Sequence, residues 1–162
     1  MDAHGIKQKA LADIKQNKAL TTKLKRLKPK DLDRQALQYH DQAFEQIDCL
    51  NCANCCKTTS PIFRMADIER LSKTLKMNTA AFIDNYLKLD EEGDYVLQTA
   101  PCPFLGADNK CIVYESRPNA CREYPHTDRR RFHQLLTLSL KNTEICPAVQ
   151  HVFDRLRDVY MT

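Results

Sequence analysis

Tryptophan is absent, glycine occurs three times, and no stretch of the 162 residues approaches the ~20 apolar positions that a membrane span requires. With glycine only at Gly5, Gly93 and Gly106, there is no glycine-rich loop to cradle a nucleotide phosphate. Nor does the spacing give a Ser-His-Asp arrangement or a pair of catalytic carboxylates, so no catalytic constellation is identified. Residues Met1 to Lys9 lack the hydrophobic core of a secretory signal and have too few arginines and serines for an organelle transit peptide. These absences predict a cytoplasmic protein that makes no use of a membrane. Hydrophobic residues make up 43% of the chain at a mean hydropathy of -0.55, which excludes a disordered chain as well as a membrane protein.

Cysteine is lacking as well, but only before position 49; eight follow. Cytosolic thiols are kept reduced, and a chain of this length can bury a core without covalent staples, so the eight are expected to bind metal rather than pair as disulfides. Four fall within eight residues, at Cys49, Cys52, Cys55 and Cys56, with two-residue gaps that let a tight loop aim successive thiolates at one centre. Cys102, Cys111, Cys121 and Cys146 come at wider intervals. Thiolates are soft ligands that select zinc or iron-sulfur clusters over magnesium or calcium. A structural zinc and a common cluster such as 4Fe-4S each take four of them, so eight cysteines predict two four-thiolate centres. Adjacent Cys55 and Cys56 point in different directions, which suggests one centre of Cys49, Cys52, Cys55 and Cys146 and another of Cys56, Cys102, Cys111 and Cys121. A redox dithiol at Cys49 and Cys52 would need a preceding strand that the sequence does not offer. His126, directly after the Tyr124-Pro125 pair, could replace a cysteine, but with eight cysteines available an exposed or hydrogen-bonded histidine is the better reading.

Along the chain, residues 5 to 28 have helical spacing, with a break near Asn17, and Lys28-Pro29-Lys30 ends them. A second apolar stripe from Leu32 to Ile47 predicts a helix that forms an antiparallel hairpin with the first. Two short helices follow around Ile68 to Leu75 and Phe82 to Leu87, the second capped by Asn78 or Thr79. Tyr95 to Gln98 and Cys111 to Tyr114 read as strands of a small hairpin, Pro118 as the start of a short helix carrying Cys121, and the residues after Pro147 as a C-terminal helix. The fold expected is mainly α with a small β-hairpin, a compact domain stapled by metal. It divides into a basic helical arm, residues 1-48, and a cysteine-cluster domain, residues 49-162.

Three motifs in order carry a family resemblance. They are Cys49-x2-Cys52-x2-Cys55-Cys56, Cys102-Pro103-Phe104-Leu105, and Cys111-x-Val113-Tyr114-Glu115-x-Arg117-Pro118-x2-Cys121-Arg122-x-Tyr124-Pro125. Over roughly residues 48 to 148 the chain resembles the YkgJ-type CxxCxxCC cysteine-cluster family, whose members are described as zinc- or iron-chelating or iron-sulfur proteins. The resemblance implies a metal or cluster site, with a redox or electron-transfer role if the centre is iron-sulfur. Flagellin lysine N-methylases share the cysteine string, so methyl transfer to protein lysine is a conceivable but weaker implication, given the missing nucleotide loop. Ala53 departs from the pattern, since such proteins often carry glycine there. Arg117 and Arg122 flank Cys121 and are expected to donate to ligand sulfurs or carboxylates and offset the thiolate charge, or else to form surface salt bridges with Glu115 or Glu123.

The formal charge is +4, with 10 basic and 7 acidic residues before position 49 and 15 and 14 after it. Eight thiolates around two centres of charge +2 would bring that sum to zero, so the lysines and arginines are read as balancing thiolates. Nucleic acid is then not the expected partner; metal ions are, with a redox or protein partner. The alternative is a structural zinc module whose basic arm binds RNA or a protein.

Overall fold

The computed structural model describes residues 2-162, which cluster into two units: residues 2-54 with 125-162, and residues 55-124. These contacts divide the chain elsewhere than at Asp48. In the first unit, α1 (Ala3–Ala12) begins at Asp2, whose carboxylate accepts from the Gly5 N-H at 2.8 Å. α2 (Ile14–Leu27) follows after a break at Asp13, four residues before the position the sequence suggested. Asn17 is buried in α2 and accepts from Arg157 Nη1 at 2.6 Å. Lys28 turns into the left-handed region to close α2, and Pro29 stops it.

α3 (Leu32–Gln46), α4 (Cys49–Cys52), α9 (Phe132–Asn142) and α10 (Pro147–Tyr160) complete this unit. Pro147 stands at the first position of α10, where its missing N-H costs nothing. The apolar stripes of α2, α3, α9 and α10 meet in one core around Leu20, Leu24, Phe132, Leu136 and Phe153. α2 packs chiefly on α9, and α3 on α10, rather than on each other as a hairpin. Both stripes are satisfied by later helices of the chain, so the N-terminal helices share a core with the C-terminal ones.

α5 (Asn54–Thr58) leads into the second unit, which holds α6 (Met65–Thr74), α7 (Thr79–Tyr86), β1 (Leu87–Leu89), β2 (Tyr95–Leu97) and α8 (Asn119–Glu123). Asn78 caps α7 by accepting from the Ala81 N-H. β1 and β2 pair antiparallel, Leu87 opposite Leu97 and Leu89 opposite Tyr95, across a turn in which Asp90 accepts from Glu92 and Asp94 and Gly93 has φ +83. The hairpin is there, but β2 pairs with residues 87-89 and not with 111-114. The latter segment makes a single bridge, Leu105 to Cys111, and then a 3-10 turn over Tyr114–Ser116. Its alternation, Ile112 68% exposed beside buried Val113, is satisfied by one apolar anchor without a ladder. Phe82 and Phe104 stack at 6.1 Å in the core of this unit, with Phe63, Ile68 and Leu71 around them. Among the described residues, no helix is long and apolar enough to cross a membrane.

Candidate metal centre

The CxxCxxCC string is two short helical turns, not a plain loop. Asp48 caps α4, accepting from Leu50 N-H at 2.9 Å and from Asn51 Nδ2 at 3.0 Å. Between α4 and α5 stands Ala53, in the left-handed region at φ +46. That conformation explains why glycine suits this position, and shows that alanine here keeps the turn at a cost in backbone strain. Buried Asn54 then donates from Nδ2 to Ile145 O at 2.7 Å, tying the string to the residue before Cys146.

In the first unit, Cys146 sits at the N-terminus of α10. Burial pushes its thiol up to about 11 against the N-H groups of Val149 and Ala148, and the thiols of Cys49 and Cys52 add to the rise. The structure thus gathers Cys49, Cys52 and Cys146 near one another.

In the second unit, the Cys102 N-H donates to Cys56 O at 2.8 Å, which draws the second motif onto α5. A tight loop closed by Gly106 N-H to Lys110 O at 2.8 Å then returns the chain to Cys111. A Cβ on Gly106 would stand 2.8 Å from Asp108 Oδ1 and 3.2 Å from Lys110 O, so a larger residue here would displace the Asp108 carboxylate and crowd the Lys110 carbonyl. Cys121 lies on α8, and burial pushes its thiol up to about 12, with Cys56, Cys102 and Cys111 adding to the rise and Arg117 opposing it. Burial likewise raises Cys102 and Cys111, each with Cys56 as a contributing neighbour. Cys56 moves down, to about 7, through a hydrogen bond with the Cys55 thiol and the nearby Lys57 ammonium against the effect of burial. Cys56, Cys102, Cys111 and Cys121 therefore form one electrostatic neighbourhood.

Two residues that the sequence reading missed hold Cys121 in place. Asp67, 1% exposed, accepts from Arg64 N-H at 3.0 Å, Arg70 Nη2 at 2.7 Å and Asn119 N-H at 3.1 Å. Arg70 also donates to Ser116 O at 3.2 Å and Arg117 O at 2.9 Å. Together they fasten residues 116-119, two positions before Cys121. The only sequence signal was an Asp and an Arg three apart on a helix, which usually means a surface ion pair.

Arg117 and Arg122 donate hydrogen bonds to backbone carbonyls. Arg117 Nη1 donates to Tyr114 O at 2.7 Å and its guanidinium stacks 3.8 Å above the Tyr114 ring; Arg122 donates to Arg117 O at 3.2 Å and to Glu115 O at 2.5 Å. Arg117 still acts on the thiols through its charge, lowering both Cys111 and Cys121. His126 has left-handed backbone at φ +67, beside a Thr127 hydroxyl that lies 2.8 Å from His40 Nδ1.

None of the eight cysteines is in a disulfide. Among the described residues, no three Cys, His, Asp or Glu side chains are already disposed to hold a metal ion. The donor chemistry nevertheless fits one. Neighbouring half-buried thiols each raise the cost of ionising the next, and a soft cation, which thiolates prefer to a hard one, removes that cost. A family model described as "Putative zinc- or iron-chelating domain" matches residues 48-147. No curated protein and no solved structure matches the chain.

Proposed function

The chain belongs to the CxxCxxCC family, and from that premise we propose that it holds zinc or an iron-sulfur cluster on two sets of thiolates. One set is Cys56, Cys102, Cys111 and Cys121. The other is built on Cys49, Cys52 and Cys146, and Cys55 is the eighth candidate ligand. The observation that carries this reading is the grouping of the thiols, with Cys56, Cys102 and Cys111 close enough to act on the Cys121 thiol and Cys49 and Cys52 on the Cys146 thiol, in a protein whose eight cysteines form no disulfide. Bound as zinc, the metal staples loops between helices and adds on the order of 10 kcal/mol to folding; bound as an iron-sulfur cluster, it supplies electron transfer. The residues of the chain supply the charge balance and the positioning. Arg117 lowers the cost of the Cys111 and Cys121 thiolates, Asp67 and Arg70 set the start of α8, and Asn54 sets the approach to Cys146.

Anaerobic purification followed by metal and acid-labile sulfide analysis tests the proposal. Cys121→Ser and Cys146→Ser, one from each set, should each lose roughly half of the bound metal. Full metal retention in both variants, or a chain purified without zinc or iron, refutes it. A visible charge-transfer band with stoichiometric sulfide identifies the iron-sulfur form, and a colourless zinc protein the structural form.

A further inference from the structure

The first unit is electrically uneven along its helices. At the C-terminal end of α3 the chain continues to Cys49 and Cys52, and Cys146 lies near them. The N-terminal end of α3, 15 residues and about 22 Å away, is the meeting place of two basic runs remote in sequence. Asp33 accepts from Arg131 N-H at 2.7 Å and Phe132 N-H at 2.9 Å, across 98 and 99 positions of chain. The Lys25 ammonium hydrogen-bonds the Thr137 hydroxyl, laying the last turn of α2 along α9.

The acids of these two runs, residues 25-34 and 128-131, are already engaged. Asp31 pairs with Arg34 at 3.4 Å, Asp128 with Arg129 at 3.9 Å, and Asp33 caps α9. Arg26, Lys28, Lys30, Arg130 and Arg131 are exposed, and among the described residues none of the five forms an ion pair. Five unmatched positive charges at one place exceed the +4 of the whole chain. At about 22 Å from the thiols of their own unit they lie beyond two Debye lengths of ~8 Å at physiological salt, so they do not serve to balance those thiolates.

We infer that this end of the helical unit binds a nucleic-acid strand through its phosphates. The inference stands independently of the metal reading. Several cations spread over two segments match the successive charges of a polyanion, and guanidinium forks suit phosphate oxygens. A membrane surface would call for apolar side chains to insert beside the charges, and within residues 25-34 and 128-131 Leu27 is the one large apolar side chain exposed. No aromatic side chain is exposed in these segments to stack on bases, so binding is to the backbone, tolerant of sequence and sensitive to salt.

Fluorescence anisotropy of the full chain with a labelled single-stranded RNA of twenty nucleotides tests this. Five phosphate contacts give a salt slope of about -3.5, so affinity should fall about 100-fold between 50 and 200 mM salt. Arg26→Glu, Lys30→Glu and Arg130→Glu combined avoid the left-handed Lys28 and Arg131, and should abolish binding with the circular dichroism spectrum unchanged. Lys73→Glu, Lys88→Glu and Lys110→Glu combined change the net charge equally at exposed positions of the other unit, and should leave binding close to wild type. Absent or salt-insensitive binding overturns the inference, as does equal loss in the control triple. Binding to phosphatidylserine vesicles but not to RNA overturns it in favour of a membrane surface.

Discussion

Replacing Asp67 with alanine removes one carboxylate and leaves three donors behind, the N-H groups of Arg64 and Asn119 and the Arg70 guanidinium. A hydrogen bond to a charged group contributes about 1.5-3 kcal/mol, so three could total about twice the stability change we expect. Arg64 and Asn119 are exposed residues whose N-H groups can regain water, and Arg70 is one-third exposed. A loss of about 3 kcal/mol is therefore the reasoned figure, or roughly 6-12 °C in Tm for a chain of this length. Because the lost contacts hold residues 116-119, amide exchange should accelerate most over residues 114-123 and least in α2 and α9. The effect also has a pH signature. Burial alone would raise the Asp67 pKa, but the Arg64 N-H, the Arg70 guanidinium and the Asn119 N-H hold it below the ordinary 3.8. A carboxyl lowered in the folded state gives its full stabilisation above that ordinary value and loses it as pH falls through the folded one. The deficit of Asp67→Ala relative to wild type should thus be constant near neutrality and shrink in acid, read by urea unfolding at several pH values. A deficit undiminished well below the folded pKa, or unchanged exchange over residues 114-123, would refute the reasoning.

Two further substitutions test local features of the fold. Ala53→Gly relieves a left-handed residue, worth about 1-2 kcal/mol, against the added freedom of the unfolded chain, so urea unfolding should show a gain of at most about 1 kcal/mol. Ala53→Val should instead be clearly destabilising, and the reverse order would remove the strain argument. Asp33→Ala takes away the cap of α9 and should cost about 1-2 kcal/mol, with Asp33→Asn recovering most of it; no change in the helical circular dichroism melt would show that the cap is idle.

Much of the secondary structure could be read locally. The stripes of α2, α3 and α10, the Asn78 cap, Pro118 before α8 and Pro147 at the head of α10 each depend on residues within a few positions of one another. α9 escaped that reading although Phe132, Leu136 and Leu140 have helical spacing, because its N-terminal cap is Asp33, 99 positions before Phe132. The Cys111 to Tyr114 segment misled in the opposite way: its β-branched residues suit a strand, but the partner that would make it one, β2, is already taken by residues 87-89.

The same division runs through the candidate site. By itself the sequence determined the inventory of candidate ligands, since eight thiols and their soft-donor chemistry are properties of residue type, and it determined the family through the spacing of its motifs. Only the tertiary structure decided which thiols become neighbours, because Cys56 meets Cys102 through a backbone hydrogen bond and Cys146 meets Cys49 and Cys52 through the antiparallel packing of distant helices. It also decided where the charge lies. A mild excess of lysine and arginine along the chain becomes five unmatched cations at one helix end, because packing α9 beside α2 and α3 sums charges that sequence distance keeps apart.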